Sequence, residues 1–471
     1  MLTLADVLEA LTGTRPQAAS LTISEAAIDS RQVIPAAMFI AIPGEHADGH
    51  NFVSDAFRRG AHVAIIQKDL TNQFPTLDLR NQQLPVNFIP PEAPFCIWVS
   101  NTVEALQTIA RFWRQKMDVK VIGITGSVGK STTKELVTEV LGQRYHTLKN
   151  IGNLNNEIGV PLTLLRLGPG YQRAVLEMGF YVPGEIKFLC DLAQPKIGIV
   201  TNVGMVHAER AGSIETIARG KAELVEALPE DGIAILNYDD PFVRQMAEKS
   251  RCRVFFYGLN PEADLWANEI ESQGLKGISF RLHYGRESLS VRIPLIGQHS
   301  VHTALRAAAV GLVEDLSWQE ILTGLQQSRT QLRLVVVESA SGALILDDTY
   351  NASPESTLAA LNLLDEIEGR HIAVLGDMLE LGPYEQQGHE MVGVRAAEVA
   401  QVLVAVGTRG GIIADAAIQA GMPAIMVVRV NTSADAIEPL NQIIRSGDIV
   451  LVKGSRGMQM EQIVAAIEVA E

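Results

Sequence analysis

Glycine, lysine and hydroxyl residues crowd together at Thr125-Gly126-Ser127-Val128-Gly129-Lys130-Ser131-Thr132-Thr133. These types in this order suit the phosphates of a nucleotide. Gly126 and Gly129 permit a tight turn whose backbone N–H groups face phosphate oxygens. Lys130 brings a positive charge to the β and γ phosphates, and the Ser131 hydroxyl can ligate Mg²⁺. Thr125, Gly126, Ser127, Val128, Gly129, Lys130, Ser131 and Thr132 are therefore the expected nucleotide contacts. A glycine turn that merely opens a helix is the plainer reading, but it leaves the Gly-Lys-Ser order unexplained. The generic phosphate-loop pattern also asks for glycine five positions before Gly129, and Ile124 stands there.

Other residues could join such a site. Glu177 follows the apolar run 174–176 and precedes Met178-Gly179, which puts a carboxylate at the end of a strand. Mg²⁺ takes carboxylate and phosphate oxygens together; a surface carboxylate is the alternative. His207 lies just past another strand-like run, although a lone histidine is more often structural than catalytic. Lys221 reads by default as a solvated helix-face lysine, and its ammonium has no lone pair with which to bind a metal.

These side chains need elements to hold them. Val119, Val121, Ile122 and Ile124 predict a strand, and the segment from Lys130 to about Gly142 a helix, so the loop has strand before it and helix after it. Strand-like runs recur at 173–178, 197–201 and 232–236 with helical stretches between, the pattern of a parallel sheet wrapped by helices, with ligands at the strands' carboxyl ends. Alternation at 254–257, 278–282 and 289–293 predicts an antiparallel appendage. Upstream, strands near 38–43, 61–66 and 95–99 and helices near 51–59 and 102–116 flank a polar loop over 68–94. Beyond about 329, strands near 343–346, 371–375, 401–406, 424–428 and 448–452 alternate with helices, as in an open doubly wound sheet. The expected fold is α/β, with an amino-terminal domain over 1–117, a central phosphate-loop parallel-sheet domain over 118–328 and a Rossmann-like domain over 329–471.

A chain of 471 residues exceeds one core, and about 150 residues per domain gives three. Hydrophobic residues at 47% with 20% charged suit a soluble protein, and no apolar run approaches the roughly 18 residues of a membrane span. Asp6 and Glu9 interrupt the apolar pattern of the first ten residues, so that stretch predicts an amphipathic helix rather than a signal peptide, and a cytoplasmic protein. Cys96, Cys190 and Cys252 lie far apart, which fits core thiols in a reducing compartment and argues against structural zinc. With 39 Lys and Arg against 54 Asp and Glu, a net −15, and no dense basic run, nucleic acid is not an expected partner.

The phosphate loop together with segment 201–213 and Lys221 resembles the Mur ligase superfamily, the ATP-dependent amide-forming enzymes of peptidoglycan precursor synthesis and folate polyglutamylation. Asn155-Asn156-Glu157-Ile158-Gly159, Asp347-Asp348-Thr349-Tyr350-Asn351 and Gly376-Asp377-Met378-Leu379-Glu380-Leu381-Gly382 resemble one branch of it. That branch joins D-alanyl-D-alanine to UDP-N-acetylmuramoyl-tripeptide. With the segments 176–179 and 451–456, the resemblance spans all three expected domains.

The resemblance implies ATP and two Mg²⁺ ions, Ser131 and Glu177 holding one ion, and His207 with a carbamylated Lys221 holding the other. Carbamylation would turn the lysine's positive charge into an oxygen anion able to bind metal. Lys130, His207 and Lys221 are the implied catalytic residues. The amino-terminal domain would bind the UDP end: Asp29-Ser30-Arg31 and segment 44–50 resemble the relevant motifs, and Ser30 and Arg31 could hydrogen-bond uracil or pyrophosphate. A capped strand entry explains them equally well. Asn155, Asn156, Lys453 and Ser455 are implied substrate contacts, while His299, Arg333, Asp348 and Asn351 match positions that reach the nucleotide. There is one departure. The family's His-Asn-x-x-Asn-Ala-Leu segment near the base reads His299-Ser300-Val301-His302-Thr303-Ala304-Leu305, and a hydroxyl cannot present donor and acceptor together as a carboxamide does.

The implied reaction is phosphoryl transfer from ATP to the tripeptide carboxylate, then attack of the D-alanyl-D-alanine amine on the acyl phosphate. A monomer without membrane or nucleic-acid partners is expected. A sibling ligase adding a different amino acid and a nucleotide-driven switch protein are the competing readings.

Overall fold

In a computed structural model of the chain, residues 1–17, 19–44, 47–85, 88–205, 209, 212–327 and 335–468 are described. The chain packs as two compact units: Met1–Gly123 with Tyr145–Gly179 and Glu185–Lys196, and Ile124–Arg144 with Phe180–Gly184 and Ile197–Glu471.

In the first unit, a parallel five-stranded sheet runs in the order Ala26–Ala27, Met38–Ile40, Val63–Ile66, Phe95–Trp98, Thr76–Asp78. Residues of Val63–Ile66 are buried throughout, which is why that strand reads as an unbroken apolar run. Thr76–Asp78 corrects the loop expected over 68–94. Its polar ends face outward and only Leu77 is buried, so an edge strand this short leaves no alternation to detect. Helix Thr102–Lys116 starts where the Asn101 side chain accepts from the N–H groups of Val103 and Glu104, as an N-cap does. From it the Trp113 indole donates to the Leu167 carbonyl at 2.9 Å, and Arg114 donates to the carbonyls of Ala193 and Val119 at 2.8 and 2.9 Å. Strand Thr147–Lys149 pairs parallel with Arg173–Glu177, and Glu177 is the last residue of the latter, as expected.

In the second unit, helix Lys130–Gly142 buries Leu136, Val137, Val140 and Leu141. Helices Ser300–Val313 and Trp318–Gln326 close on it because Gly311 and Gly324 carry no side chain: a Cβ on Gly324 would lie 2.6 Å from the Val140 Cα. Strands Ile197–Val200, Ile233–Asn237 and Arg253–Gly258 pair parallel and in step. This corrects the expectation that 254–257 is antiparallel, since a period of two is the same whichever way the neighbour runs. The antiparallel ribbon consists of Leu265–Ser272, Ile278–Tyr284 and Glu287–Ile293. Its first strand went unforeseen because its second half, from Asn268 on, is polar and largely solvent-facing.

The carboxyl-terminal part of this unit is a six-stranded sheet in the order Val335–Glu338, Leu344–Asp348, Asp448–Lys453, Arg370–Gly376, Val402–Val406, Val427–Val430. The first pair is antiparallel and the others parallel. Apolar clusters lie on both faces, one around Leu361, Val392 and Ile413, the other around Leu440, Ile463 and Val464, which is the doubly wound arrangement. Leu344–Asp348 and Asp448–Lys453 run side by side with Asp348 opposite Lys453, so both residues emerge together at the strands' carboxyl ends. Among the described residues no helix is long and apolar enough to cross a membrane.

Candidate active site

The phosphate loop leaves strand Lys120–Thr125 and enters helix Lys130–Gly142. Gly126 and Gly129 have φ of 144° and 84°, in the left-handed half of the map where a side chain is strained. A Cβ on Gly126 would also sit 1.8 Å from the Thr201 hydroxyl oxygen. The segment after strand Ile197–Val200 clamps the loop from outside. Asn202 accepts from the Val128 N–H at 2.9 Å and donates to its carbonyl at 3.2 Å, the Thr201 hydroxyl donates to the same carbonyl at 2.7 Å, and Ser127 Oγ accepts from the Gly204 N–H at 2.8 Å. Each such bond contributes about 1 kcal/mol net, and together they fix which way the loop's N–H groups face. Lys130 folds over the loop, donating to the carbonyls of Gly126 and Ser127 at 2.8 and 3.1 Å.

The loop forms one wall of a cleft of about 400 Å³, a size suited to a small ligand. Ser127 to Thr132 line it. Helix Ser300–Val313 supplies a second wall with His299, Ser300, His302, Thr303 and Arg306, and the carboxyl-terminal sheet a third with Asp348, Asn351, Glu355 and Lys453. Ion pairing holds the third wall: Lys453 is 2% exposed, and its ammonium donates to Asp348 at 2.6 Å and to the Asn351 carbonyl at 2.8 Å. Glu355 accepts from the Met205 N–H at 2.9 Å, while its other carboxylate oxygen is buried with no hydrogen-bond partner among the described residues. Crowding by protein and then the charges of Arg306, His302 and Lys453 push His299 down to about 4. Held below the usual histidine value in this way, His299 is neutral at pH 7.

The structure thus brings Ser127–Thr132, His299, Asp348, Asn351 and Lys453 to one cleft. Thr125 and Gly126 shape the loop from beneath rather than lining it. Ser455 stands apart from the cleft lining; its hydroxyl accepts from the Leu379 N–H at 2.8 Å. Lys221 corrects the reading of a solvated lysine: on helix Ile214–Glu226 it is 1% exposed, with its ammonium 4.9 Å from the centre of the Phe180 ring. Burial, and then repulsion from Lys130, lower its pKa far below the usual lysine value. In the first unit Glu177 is 2% exposed and accepts from the Asn155 amide at 2.9 Å. Asn156 accepts from the Gly159 N–H at 2.9 Å, at the start of helix Gly159–Leu165. Ser30 is buried in a 3-10 turn, and Arg31 is exposed and forked onto Asp29, with Nη2 2.8 Å from Oδ2. His207, Arg333 and, within segment 44–50, Glu45 and His46 lie outside the described residues.

Sequence reading missed Asn202, Arg306 and Glu355. Asn202 falls within segment 201–213 and carries no motif of its own. Glu355, two residues after the N-cap Ser353 and next to the helix-opening Pro354, reads as ordinary first-turn chemistry. Arg306 falls in a run of alanines and offers no motif.

Comparison with known proteins extends over the whole chain. Three family descriptions match in order: the Mur ligase family catalytic domain over residues 22–114, the Mur ligase middle domain over 124–311, and the Mur ligase glutamate ligase domain over 332–456. The UDP-N-acetylmuramoyl-tripeptide–D-alanyl-D-alanine ligase of Bacillus subtilis is 34% identical over 98% of this chain and 97% of its own. The crystal structure of MurF from Acinetobacter baumannii superposes with a TM-score of 0.82 at 32% identity, over 98% of this chain and 97% of that one. MurF from Thermotoga maritima in complex with ADP gives 0.78 at 26% identity, over 97% of each chain. With a phosphate loop clamped as described and relatives aligned end to end, the chain belongs to the Mur ligase family.

Proposed function

We propose that this chain is the ATP-dependent ligase that joins D-alanyl-D-alanine to UDP-N-acetylmuramoyl-tripeptide in peptidoglycan precursor synthesis. The observation that carries the reading is the single cleft in which the phosphate loop, Asp348, Asn351 and Lys453 meet, in a chain that aligns over nearly its whole length with ligases of that name. The tripeptide carboxylate attacks the γ phosphorus of ATP and ADP leaves; the dipeptide amine then attacks the acyl carbon and phosphate leaves. A carboxylate is a poor acylating agent and its mixed anhydride a good one, so ATP drives the amide bond. Lys130 and the loop's N–H groups stabilise charge on the transferring phosphoryl group. Ser30, Arg31, Asn155, Asn156 and Ser455 are proposed contacts for the UDP-tripeptide, and Arg333 for the nucleotide. Domain boundaries near 117/118 and 328/329 and a cytoplasmic monomer complete the proposal.

Two Mg²⁺ ions are proposed on donor chemistry: Ser131, Glu177, His207 and a carbamylated Lys221 as protein ligands. The residues present fit. The buried Glu177 offers a carboxylate, and burial with repulsion from Lys130 favours the neutral amine of Lys221, the form that takes up CO₂ to become a carbamate. Magnesium would screen phosphate–carboxylate repulsion and neutralise developing charge. The decisive assay is phosphate release. It is expected to require ATP, UDP-N-acetylmuramoyl-tripeptide and D-alanyl-D-alanine together; release with no acyl acceptor would favour a nucleotide-driven switch, and release with a different amine a sibling ligase.

A further inference from the structure

Arg306 is a buried cation that meets no carboxylate among the described residues. It is 4% exposed on helix Ser300–Val313, and among the described residues no Asp or Glu oxygen comes within 4.0 Å of it. Two neutral hydroxyls hold it: Nη1 donates to Tyr257 at 3.3 Å and Nη2 to Thr303 at 2.8 Å. Its Nε is buried with no hydrogen-bond partner among the described residues. A guanidinium so placed lacks the compensation that buried charge ordinarily demands.

Its surroundings say what supplies that compensation. A Cβ built on Gly129 would lie 3.1 Å from Arg306 Nη2, so the guanidinium stands directly behind the last glycine of the phosphate loop. Tyr257 ties it to the same clamp, donating to the Thr201 carbonyl at 3.2 Å. The segment expected near the base is otherwise committed elsewhere. Ser300 donates to the Ile296 carbonyl at 2.7 Å, His302 pairs with Asp239 at 2.9 Å, and Thr303 holds the arginine.

We propose that Arg306 is a positioning residue of the nucleotide site, a fixed counter-charge behind the phosphate loop whose partner is the polyphosphate of the bound nucleotide. The charge acts through the loop at short range and low dielectric, where it counts for more than in water. The inference rests on the ATP-dependent reading above and adds a residue to it. It also explains how the chain tolerates hydroxyls in place of two carboxamides: Thr303 anchors a cation instead of reading a base edge.

The test compares affinities of the wild type, Arg306→Met and Arg306→Lys for a non-hydrolysable ATP analogue, ADP and AMP by calorimetry, with melting temperature measured with and without ligand. Wild type that binds none of the three overturns the functional reading itself. If wild type binds, Arg306→Met is expected to lose about tenfold to a hundredfold for the ATP analogue, less for ADP and least for AMP. Its melting temperature without ligand should be no lower than wild type, because an uncompensated charge has been removed. Arg306→Lys, which keeps the charge, should recover part of the loss and serves if the methionine variant does not fold. An equal loss for all three nucleotides, or unchanged affinity for the ATP analogue whatever the melting temperature, would overturn the inference in favour of a base-reading or purely structural arginine.

Discussion

Lys130 and Lys221 show how far the role of a lysine depends on its surroundings. Lys130 reaches the carbonyls of its own loop, and a phosphate offers better acceptors on the same side. Removing it should cost catalysis more than stability: Lys130→Ala is expected to lower kcat by about a hundredfold to a thousandfold with little change in melting temperature. Near-normal ligation by the purified variant would dismiss the phosphate-loop assignment. Lys221 is driven toward its neutral form by burial and by Lys130. Its depressed pKa means the neutral amine persists down to lower pH than for an exposed lysine, which favours the carbamate. Lys221→Ala should lose activity and regain part of it with added short-chain carboxylic acids, which restore an oxygen anion in the vacated space. A high-resolution map of active, nucleotide-loaded enzyme showing a plain ammonium would rule this out.

At the scale of elements, the amino-terminal helix Leu4–Thr12 carries its own pH dependence. Asp6 fills a capping box with Thr3 and receives Arg15 at 2.8 Å and Lys116 at 3.0 Å. Burial alone would raise its pKa, but the bonds from Thr3, Arg15 and Lys116 outweigh it and bring it from 3.8 to about 2. A carboxyl depressed on folding stabilises above its unfolded value and loses that contribution as pH falls through the folded one. Asp6→Asn should therefore cost about 1–2 kcal/mol at neutral pH, discounted for partial solvent screening, and should flatten the loss of stability between pH 4 and 2. Urea titrations of both proteins across that range measure it; parallel curves would refute the ion pairs' contribution.

At the scale of the whole molecule, the second unit completes its cleft from segments far apart in sequence. The walls from the middle and carboxyl-terminal family segments meet where Met205 N–H bonds Glu355 at 2.9 Å and Glu209 N–H bonds the Glu380 carbonyl at 3.2 Å. A site shared in this way can exclude the water that would hydrolyse an acyl phosphate only while those walls are together. Binding drives such closure only through contacts absent from the open state. Asp348→Ala removes the partner of the buried Lys453 ammonium and should destabilise by about 3 kcal/mol while weakening ATP turnover. Distance labels on the two segments should then show less nucleotide-induced approach than in wild type. Ser30→Ala, in the amino-terminal unit, should instead mainly raise KM for the UDP precursor. No nucleotide-induced approach in active wild type would dismiss closure, and equal approach in Asp348→Ala and wild type would remove Asp348 from it.

The phosphate loop, the parallel strands around it and the doubly wound carboxyl-terminal sheet were legible in the residues because each depends on local rules. Glycine permits a backbone turn that other residues resist, and fully buried strands read as apolar runs. The edge strand Thr76–Asp78 and the polar-ended Leu265–Ser272 were not legible, since their pairing rests on neighbours rather than on their own pattern. Composition and order also determined that Glu177 ends a strand and that Lys130 and Ser131 open a helix. Only the tertiary structure decided that Lys221 is dry, that Asp348 faces Lys453 across adjacent strands, and that Arg306 stands behind Gly129. Burial and electrostatic environment are set by which distant segments pack together, and a side chain's charge state and partners follow from that packing rather than from its neighbours in the chain.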